Sequence, residues 1–284
     1  MTLTQDVRTR IAGVVRPLAD PFPHLPRTKA SLIGELLQRK RTRDREQAFV
    51  LEGVRPVLEV VLNKSPDVTC IVLTPSFFKR QTSAHREGIL RSYAPVYQVS
   101  ENIFERLSNV ETGQGILAVV RKPVWQERAV FAQAGLFGVF GEQLQDPANV
   151  GAIIRTAAAL QVSALWLTPD SADVFNPKVV RATAGSLMTL PIFHCLTPQV
   201  FVDHECSIVA TESSRSGAVP IQQVRAIPRR TILAVGNESR GLAKSTIDIA
   251  AMRIHIPVNT EVESLNVATA TAILIFYLGN VPRQ

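Results

Sequence analysis

The second half of the chain carries a series of short runs that are apolar at almost every position: "LFGVFG", "ALWLTP", "LPIFHC", "CSIVAT", "RTILAVG" and "MRIHIPV". A strand with one face in water alternates apolar and polar residues, so strands this uniformly apolar have both faces covered. Helical patterns separate them, at Val150 to Leu160, after Asn176, before Cys206 and from Leu265 to Leu278. Apolar strands alternating with helices predict a mostly parallel sheet in an α/β domain over residues 131–284. In such a sheet ligands bind where loops leave the carboxyl ends of the strands.

Upstream, the runs "AFVLEG", "VTCIVLT", "PVYQVS" and "GILAVV" alternate with helical stretches such as "RPVLEVVLN" and "ENIFERLSN". This predicts a smaller α/β domain over residues 27–121, with the charged, proline-containing segment 122–130 as a linker. It opens on "RTKASLIGELLQRKRTRDREQ", which reads as one basic amphipathic helix with Leu32, Ile33, Leu36 and Leu37 on a common face. Residues 1–26 hold Pro17, Pro21, Pro23 and Pro26 and little periodicity, and are expected to form a flexible arm.

The formal charge is +7, which favours a polyanionic partner, because lysine and arginine gain free energy by releasing counterions from a phosphate backbone. Arg39, Lys40, Arg41, Arg43 and Arg45 are candidate phosphate contacts on the basic helix, although a solvated helix face has the same pattern. Three widely spaced cysteines form neither a disulfide framework nor a zinc motif, and the five histidines lack paired metal spacing. No metal is expected. The N-terminus has no basic segment followed by an apolar one, and no apolar run reaches the ~20 residues of a membrane helix. A cytoplasmic protein without a membrane partner is the expectation.

Three segments place polar groups directly after an apolar strand. In "LQDPANVGAIIRTAAAL", a turn with Asp146, Pro147 and Asn149 precedes a helix that starts near Gly151, and Arg155 lies on its first turns, where an anion such as an RNA phosphate is favoured. Read alone, Asn149 and Arg155 are equally an ordinary N-cap and an exposed helix residue. In "ILAVGNESRGL" a strand delivers Gly236, Asn237 and Glu238 into a loop; GxGxxG is absent, so nothing here indicates a nicotinamide site. In "RIHIPVNTEVESLNVATATAILIF", Ser264 and Asn266 stand before a small-residue helix, where Ser264 could serve simply as an N-cap.

Taken in this order and spacing, the "NVGAIIRTA", "GNESRGL" and "IPVNTEVESLNVATA" blocks closely resemble the SpoU/TrmH class of the SPOUT superfamily of RNA ribose 2′-O-methyltransferases. "NPKVVRATAGSLMTLPIF" resembles the stretch between that family's first and second blocks. "FVLEGVRPVLEVV" and "NIFERLSNVETGQGILAVV" are similar to the RNA substrate-binding domain often attached to it. The resemblance implies a deep trefoil knot in the C-terminal domain and S-adenosyl-L-methionine as cofactor, bound at Thr211, Gly236, Ile256 and Leu265. It implies catalytic roles for Arg155 and Ser264, with Glu238 and Asn266 orienting them and Asn149 in support. A guanidinium is effectively always protonated, so Arg155 is expected to clamp RNA phosphate and stabilise the developing alkoxide rather than act as a base. The resemblance further implies a homodimer and favours ribosomal over transfer RNA. The alternatives are a transfer-RNA enzyme, a base methyltransferase and a knotted RNA-binding protein without catalysis.

Overall fold

The computed structural model describes residues 21–63, 65–108, 113–213, 217–259 and 264–284. The N-terminal domain contains α1 (Arg27–Gln38), α2 (Lys40–Glu46), β1 (Ala48–Glu52), α3 (Val54–Leu62), β2 (Val68–Leu73), α4 (Pro75–Arg80), α5 (Ser83–Leu90), β3 (Val96–Gln98), α6 (Glu101–Leu107) and β4 (Ile116–Arg121). Its sheet runs β1-β4-β2-β3 and is mixed: β4 is antiparallel to β1 and β2, while β2 and β3 are parallel.

Three expectations for this half are corrected. The basic stretch is two helices rather than one, because Arg39 is extended (φ −120°, ψ 115°) between α1 and α2. The turn brings Arg43 inward, where it is 3% exposed and donates to the Leu36 carbonyl at 2.7 Å. That carbonyl lies in the last turn of α1, where the helix has no backbone donor of its own to offer. Arg43 also donates to Asp173 Oδ2 from Nε at 3.1 Å and from Nη2 at 2.6 Å. With its donors taken up inside the protein, Arg43 is withdrawn from the candidate phosphate contacts; Arg39, Lys40, Arg41 and Arg45 are exposed. Finally, residues 21–26, expected in the arm, are docked. Leu25 N–H donates to the Gln98 carbonyl, Gln98 N–H donates to the Pro23 carbonyl, and Phe22 packs edge-on against Phe78. The rest of the expected arm, 1–20, lies outside the described residues.

The C-terminal domain contains α7 (Glu127–Phe131), β5 (Leu136–Gly141), α8 (Pro147–Ala159), β6 (Leu165–Leu167), α9 (Pro177–Thr183), β7 (Ile192–His194), α10 (Gln199–Asp203), β8 (Ser207–Thr211), β9 (Val219–Pro220), β10 (Arg230–Val235), α11 (Lys244–Asp248), β11 (Met252–His255) and α12 (Val267–Asn280). The expected linker is shorter than 122–130, since α7 starts at Glu127, accepts a hydrogen bond from the Trp166 indole at 2.7 Å and buries Val130 and Phe131.

The seven-stranded sheet runs β7-β6-β5-β10-β8-β11-β9, and every neighbouring pair is parallel. Its strands divide their side chains between two cores with a period of two. Phe137 and Val139 of β5 and Leu233 and Val235 of β10 face α8, α9 and α12. Leu136, Phe140, Ile232 and Ala234 face α7, α10 and α11. After β8 the chain runs to the edge at β9, returns to β10 on the other side of β8, then comes back to lie between β8 and β9. The expected knot cannot be followed through 214–216 and 260–263, which lie outside the described residues.

α8 and α9 pack closely because Gly151 has no side chain: a Cβ there would sit 2.4 Å from Ala182 Cβ and 3.0 Å from the Val179 carbonyl oxygen. Gly151→Val is expected to destabilise the fold by about 2–3 kcal/mol through overpacking. The midpoint of urea unfolding measures it, and an unchanged midpoint would show that the two helices separate freely.

Candidate active site

Because both faces of the large sheet are covered, polar groups gather where its strands end. The carboxyl ends of β10, β8 and β11, adjacent in the sheet, open together with the start of α12 into a cleft of about 550 Å³. Thr211, Gly236, Ile256 and Leu265 all line it, as do Glu238, Ser264 and Asn266. Seven of the nine residues expected at the centre, drawn from distant parts of the sequence, therefore share one cavity. Ile256 and Leu265 are half-buried and Gly236 is buried, which gives the cleft apolar walls beside backbone donors and acceptors.

Gly236 is required by backbone contact. A Cβ at this position would lie 2.1 Å from the Gly241 carbonyl carbon and 2.3 Å from Leu242 N. The loop that doubles back on it is closed by paired bonds between Asn237 and Gly241, at 3.0 and 2.9 Å, with Gly241 at φ +70°. The Asn237 side chain organises the turn, accepting from the N–H groups of Ser239 and Arg240 and donating to the Gln143 carbonyl at 2.8 Å. Glu142, 8% exposed, pins the next segment by accepting from Ala243 N–H at 2.7 Å and from the Thr246 hydroxyl at 3.0 Å. The sequence reading gave Asn237 and Glu142 no role. The available signal was a carboxylate directly after the buried run "LFGVFG", at a position where burial demands partners.

Asn149 does not line the cleft; it holds the cleft together from behind. It is 7% exposed, its Nδ2 donates to Glu238 Oε1 at 3.0 Å, and its Oδ1 accepts from Asn266 Nδ2 at 2.8 Å. Asp146 caps α8, accepting from Ala148 N–H, which leaves Asn149 inside the first turn. Asn266, not Ser264, caps α12, its Oδ1 accepting from Ala268 and Thr269 N–H. Ser264 is left exposed at the cleft wall.

Desolvation pushes the Glu238 carboxyl up, but the Asn149 amide and the backbone N–H groups of Glu238, Asp146 and Gln145 outweigh it and hold the carboxyl below the ordinary glutamate range. Glu238 is thus ionised at neutral pH. Its contribution to loop stability is present above the ordinary glutamate pKa and is lost as pH falls through the lowered value. Arg155 is not brought into the cleft: it is exposed, six residues beyond Asn149 on α8. That spacing corresponds to about 9 Å along the helix axis and roughly a third of a turn around it.

Among the described residues, no group of three or more histidine, cysteine, aspartate or glutamate side chains has metal-holding geometry, and no helix is long and apolar enough to cross a membrane.

Comparison with known proteins matches both halves of the chain. The SpoU rRNA Methylase family profile covers residues 137–276, and that of the MRM3-like substrate binding domain covers residues 33–118. The 23S rRNA (guanosine(2553)-2'-O)-methyltransferase RlmP of Bacillus subtilis is 32% identical over 247 residues, covering 85% of this chain and 92% of that protein. A 23S rRNA (uridine(2479)-2'-O)-methyltransferase of Streptomyces viridochromogenes is 26% identical over 255 residues, covering 85% of each. The crystal structure of an AdoMet-bound rRNA methyltransferase from Sinorhizobium meliloti is similar at a TM-score of 0.76 and 25% identity, covering 90% of this chain and 95% of that one. With a substrate-binding half followed by a catalytic half, both matched in one chain, the protein belongs to the SpoU family of S-adenosylmethionine-dependent RNA 2′-O-ribose methyltransferases.

Proposed function

We propose that this chain methylates a ribose 2′-hydroxyl of large-subunit ribosomal RNA, as a homodimer whose two copies complete each other's active sites. The observation that carries the reading is the single cleft in which Thr211, Gly236, Glu238, Ile256, Ser264, Leu265 and Asn266 meet. Its volume of about 550 Å³ lies in the usual range for a cofactor site. Ribosomal RNA is favoured by the 23S rRNA substrates in the names of two relatives, each matching most of this chain, and by the charge of +7.

In this reading Thr211, Gly236, Ile256 and Leu265 hold S-adenosylmethionine, with polar contacts from the strand ends and apolar cover from Ile256 and Leu265. Bound there, the cofactor supplies a methyl carbon made electrophilic by the adjoining sulfonium. The chain's own work is to hold the 2′-oxygen in line, stabilise it as its proton leaves, and exclude water. Ser264 at the cleft wall orients the hydroxyl. The anchored row Glu238, Asn149 and Asn266 fixes the mouth against which the ribose sits. Arg155 binds the adjoining phosphate and stabilises the alkoxide electrostatically.

The position of Arg155 supports the homodimer. It lies outside the cleft of its own chain, on a helix packed against α12. On α12, Thr269, Ile273, Phe276 and Asn280 form one exposed stripe, with Ile273 at 41% and Phe276 at 63% exposure. An apolar stripe on the helix packed against α8, whose Arg155 lines no cleft among the described residues, fits a second copy of this chain, which brings Arg155 to the neighbouring cleft. In the N-terminal domain, Arg39, Lys40, Arg41 and Arg45 provide phosphate contacts.

Transfer of labelled methyl to purified ribosomal and transfer RNA pools, followed by nucleoside mass spectrometry, tests the central claim. The expected product is a 2′-O-methylnucleoside in the large-subunit RNA. Label in transfer RNA alone overturns the substrate assignment, and label on a base overturns the chemistry. Isothermal titration separates the residue roles: Gly236→Ala is expected to abolish cofactor binding by forcing the 237–241 turn open. Arg155→Ala and Asn266→Ala should keep cofactor affinity within a few-fold yet lower turnover by about 100-fold or more. Near-normal turnover of Arg155→Ala would remove the clamp role. Neutralising Arg39, Lys40, Arg41 and Arg45 together is expected to weaken RNA binding and flatten its dependence on salt, by a slope change of up to about 3–4. An unchanged slope would take α2 out of the RNA interface.

A further inference from the structure

Among the described residues, the interface between the two domains contains a strongly directional contact. Phe49 of β1 meets Phe175 at a ring separation of 5.1 Å, a contact that by itself tolerates sliding. Beside it, the guanidinium of Arg43 meets Asp173 through two nitrogens, with side chains 4% and 14% exposed. The other oxygen of Asp173 accepts from Phe175 N–H at 3.0 Å, so the carboxylate is fixed on its own loop as well. A buried pair of this kind is a weak source of stability but a strong source of geometry, because two planar groups satisfy each other in few orientations. Apolar side chains of both domains also join in one core cluster, but such packing is non-directional and fixes an angle less sharply than a two-point ion pair does.

The loop carrying Asp173 is also linked to the cleft indirectly, through residues 143 and 144. Thr168 Oγ1 accepts from Gln143 N–H at 2.8 Å and Ser171 Oγ accepts from Leu144 N–H at 3.1 Å. The Gln143 carbonyl accepts the Asn237 bond that shapes the turn beneath Gly236. The clamped loop is therefore bonded to the segment that supports the cofactor-side turn.

We propose that Arg43 and Asp173 are positioning residues for methyl transfer: their buried ion pair fixes the N-terminal domain at one angle to the catalytic cleft, so that RNA held by the first domain presents its ribose to the second in a single pose. Neither touches the reacting atoms. Loss of the pair leaves each ligand bound and spreads the poses in which they meet. The kinetic part of this inference rests on the methyl-transfer reading above; the geometric part does not.

The test uses full-length Asp173→Asn, which keeps shape and the bond from Phe175 N–H, and the double variant Arg43→Met/Asp173→Asn, which leaves no unpaired buried charge. Spin labels are attached at Ser83→Cys on α5 and Ser245→Cys on α11, both exposed positions, with an excess of unlabelled chain to suppress distances between copies. The native cysteines are buried, and burial pushes the Cys195 thiol up to about 11, which keeps labelling selective. A narrow interdomain distance distribution is expected for the parent and a broad or shifted one for both variants. Their kcat should fall at least about tenfold, with cofactor and RNA dissociation constants within about threefold. A purely structural pair behaves differently: the double variant, freed of the unpaired charge, regains thermal stability and kcat together. That recovery, or an unchanged distance distribution in the double variant, overturns the proposal. If the parent protein transfers no methyl group, the functional reading falls, and the distance measurement alone decides the clamp.

Discussion

Everything distinctive about the C-terminal domain depends on the burial of its parallel sheet on both faces. Alternate residues of β5 and β10 enter opposite cores, so no polar side chain can leave the middle of either strand without entering an apolar layer. Function is thereby confined to strand ends. Parallel pairing places all those ends on one side, and the order β10-β8-β11 sets the three loops of the cleft side by side although they are far apart along the chain. The apolar runs and the geometry of the cleft are consequences of the same constraint.

At that edge the decisive interactions are directional. The carboxylate of Glu238 can only accept, so Asn149 must offer its amide nitrogen to it and its oxygen to Asn266. Asn266 must then give its nitrogen to Asn149 and its oxygen to the free N–H groups of α12. One ionised group thus sets the orientation of two amides and ties the starts of α8 and α12 to the Glu238 loop. The α12 N–H groups set Asn266 from the other end, so loss of the carboxylate would leave Asn149 held from one side only and the Glu238 loop untied.

Much of this was legible in the sequence because the signals were local. Continuous apolar runs marked the strands, and the strand-to-loop passage at Gly236 was visible, though not the close backbone approach that requires glycine there. The three blocks carried residues that the cleft brings together, apart from Asn149 and Arg155, whose places depend on the geometry of α8. What the sequence hid was long-range. Nothing near Arg43 distinguishes it from Arg41 or Arg45; only the fold brings Asp173, 130 positions away, to its side. The break at Arg39 was equally invisible, since arginine is a good helix former and the turn is imposed by the inward path of the next residues. Glu127 read as part of a linker because its partner, the Trp166 indole, belongs to another strand.

The docking of residues 21–26 concerns the protein's solubility as well as its fold. β3 is the last strand of the mixed sheet, and its outer backbone groups would otherwise face water as a ready template for another chain. The Pro23 carbonyl and Leu25 N–H occupy that side of Gln98, while Pro21, Pro23 and Pro26 contribute no N–H groups with which the added segment could recruit a further strand. The proline-rich lead-in is thus a terminator: it covers the open edge at Gln98 with a segment poor in N–H groups, so an irregular stretch of chain protects the sheet against edge-to-edge association.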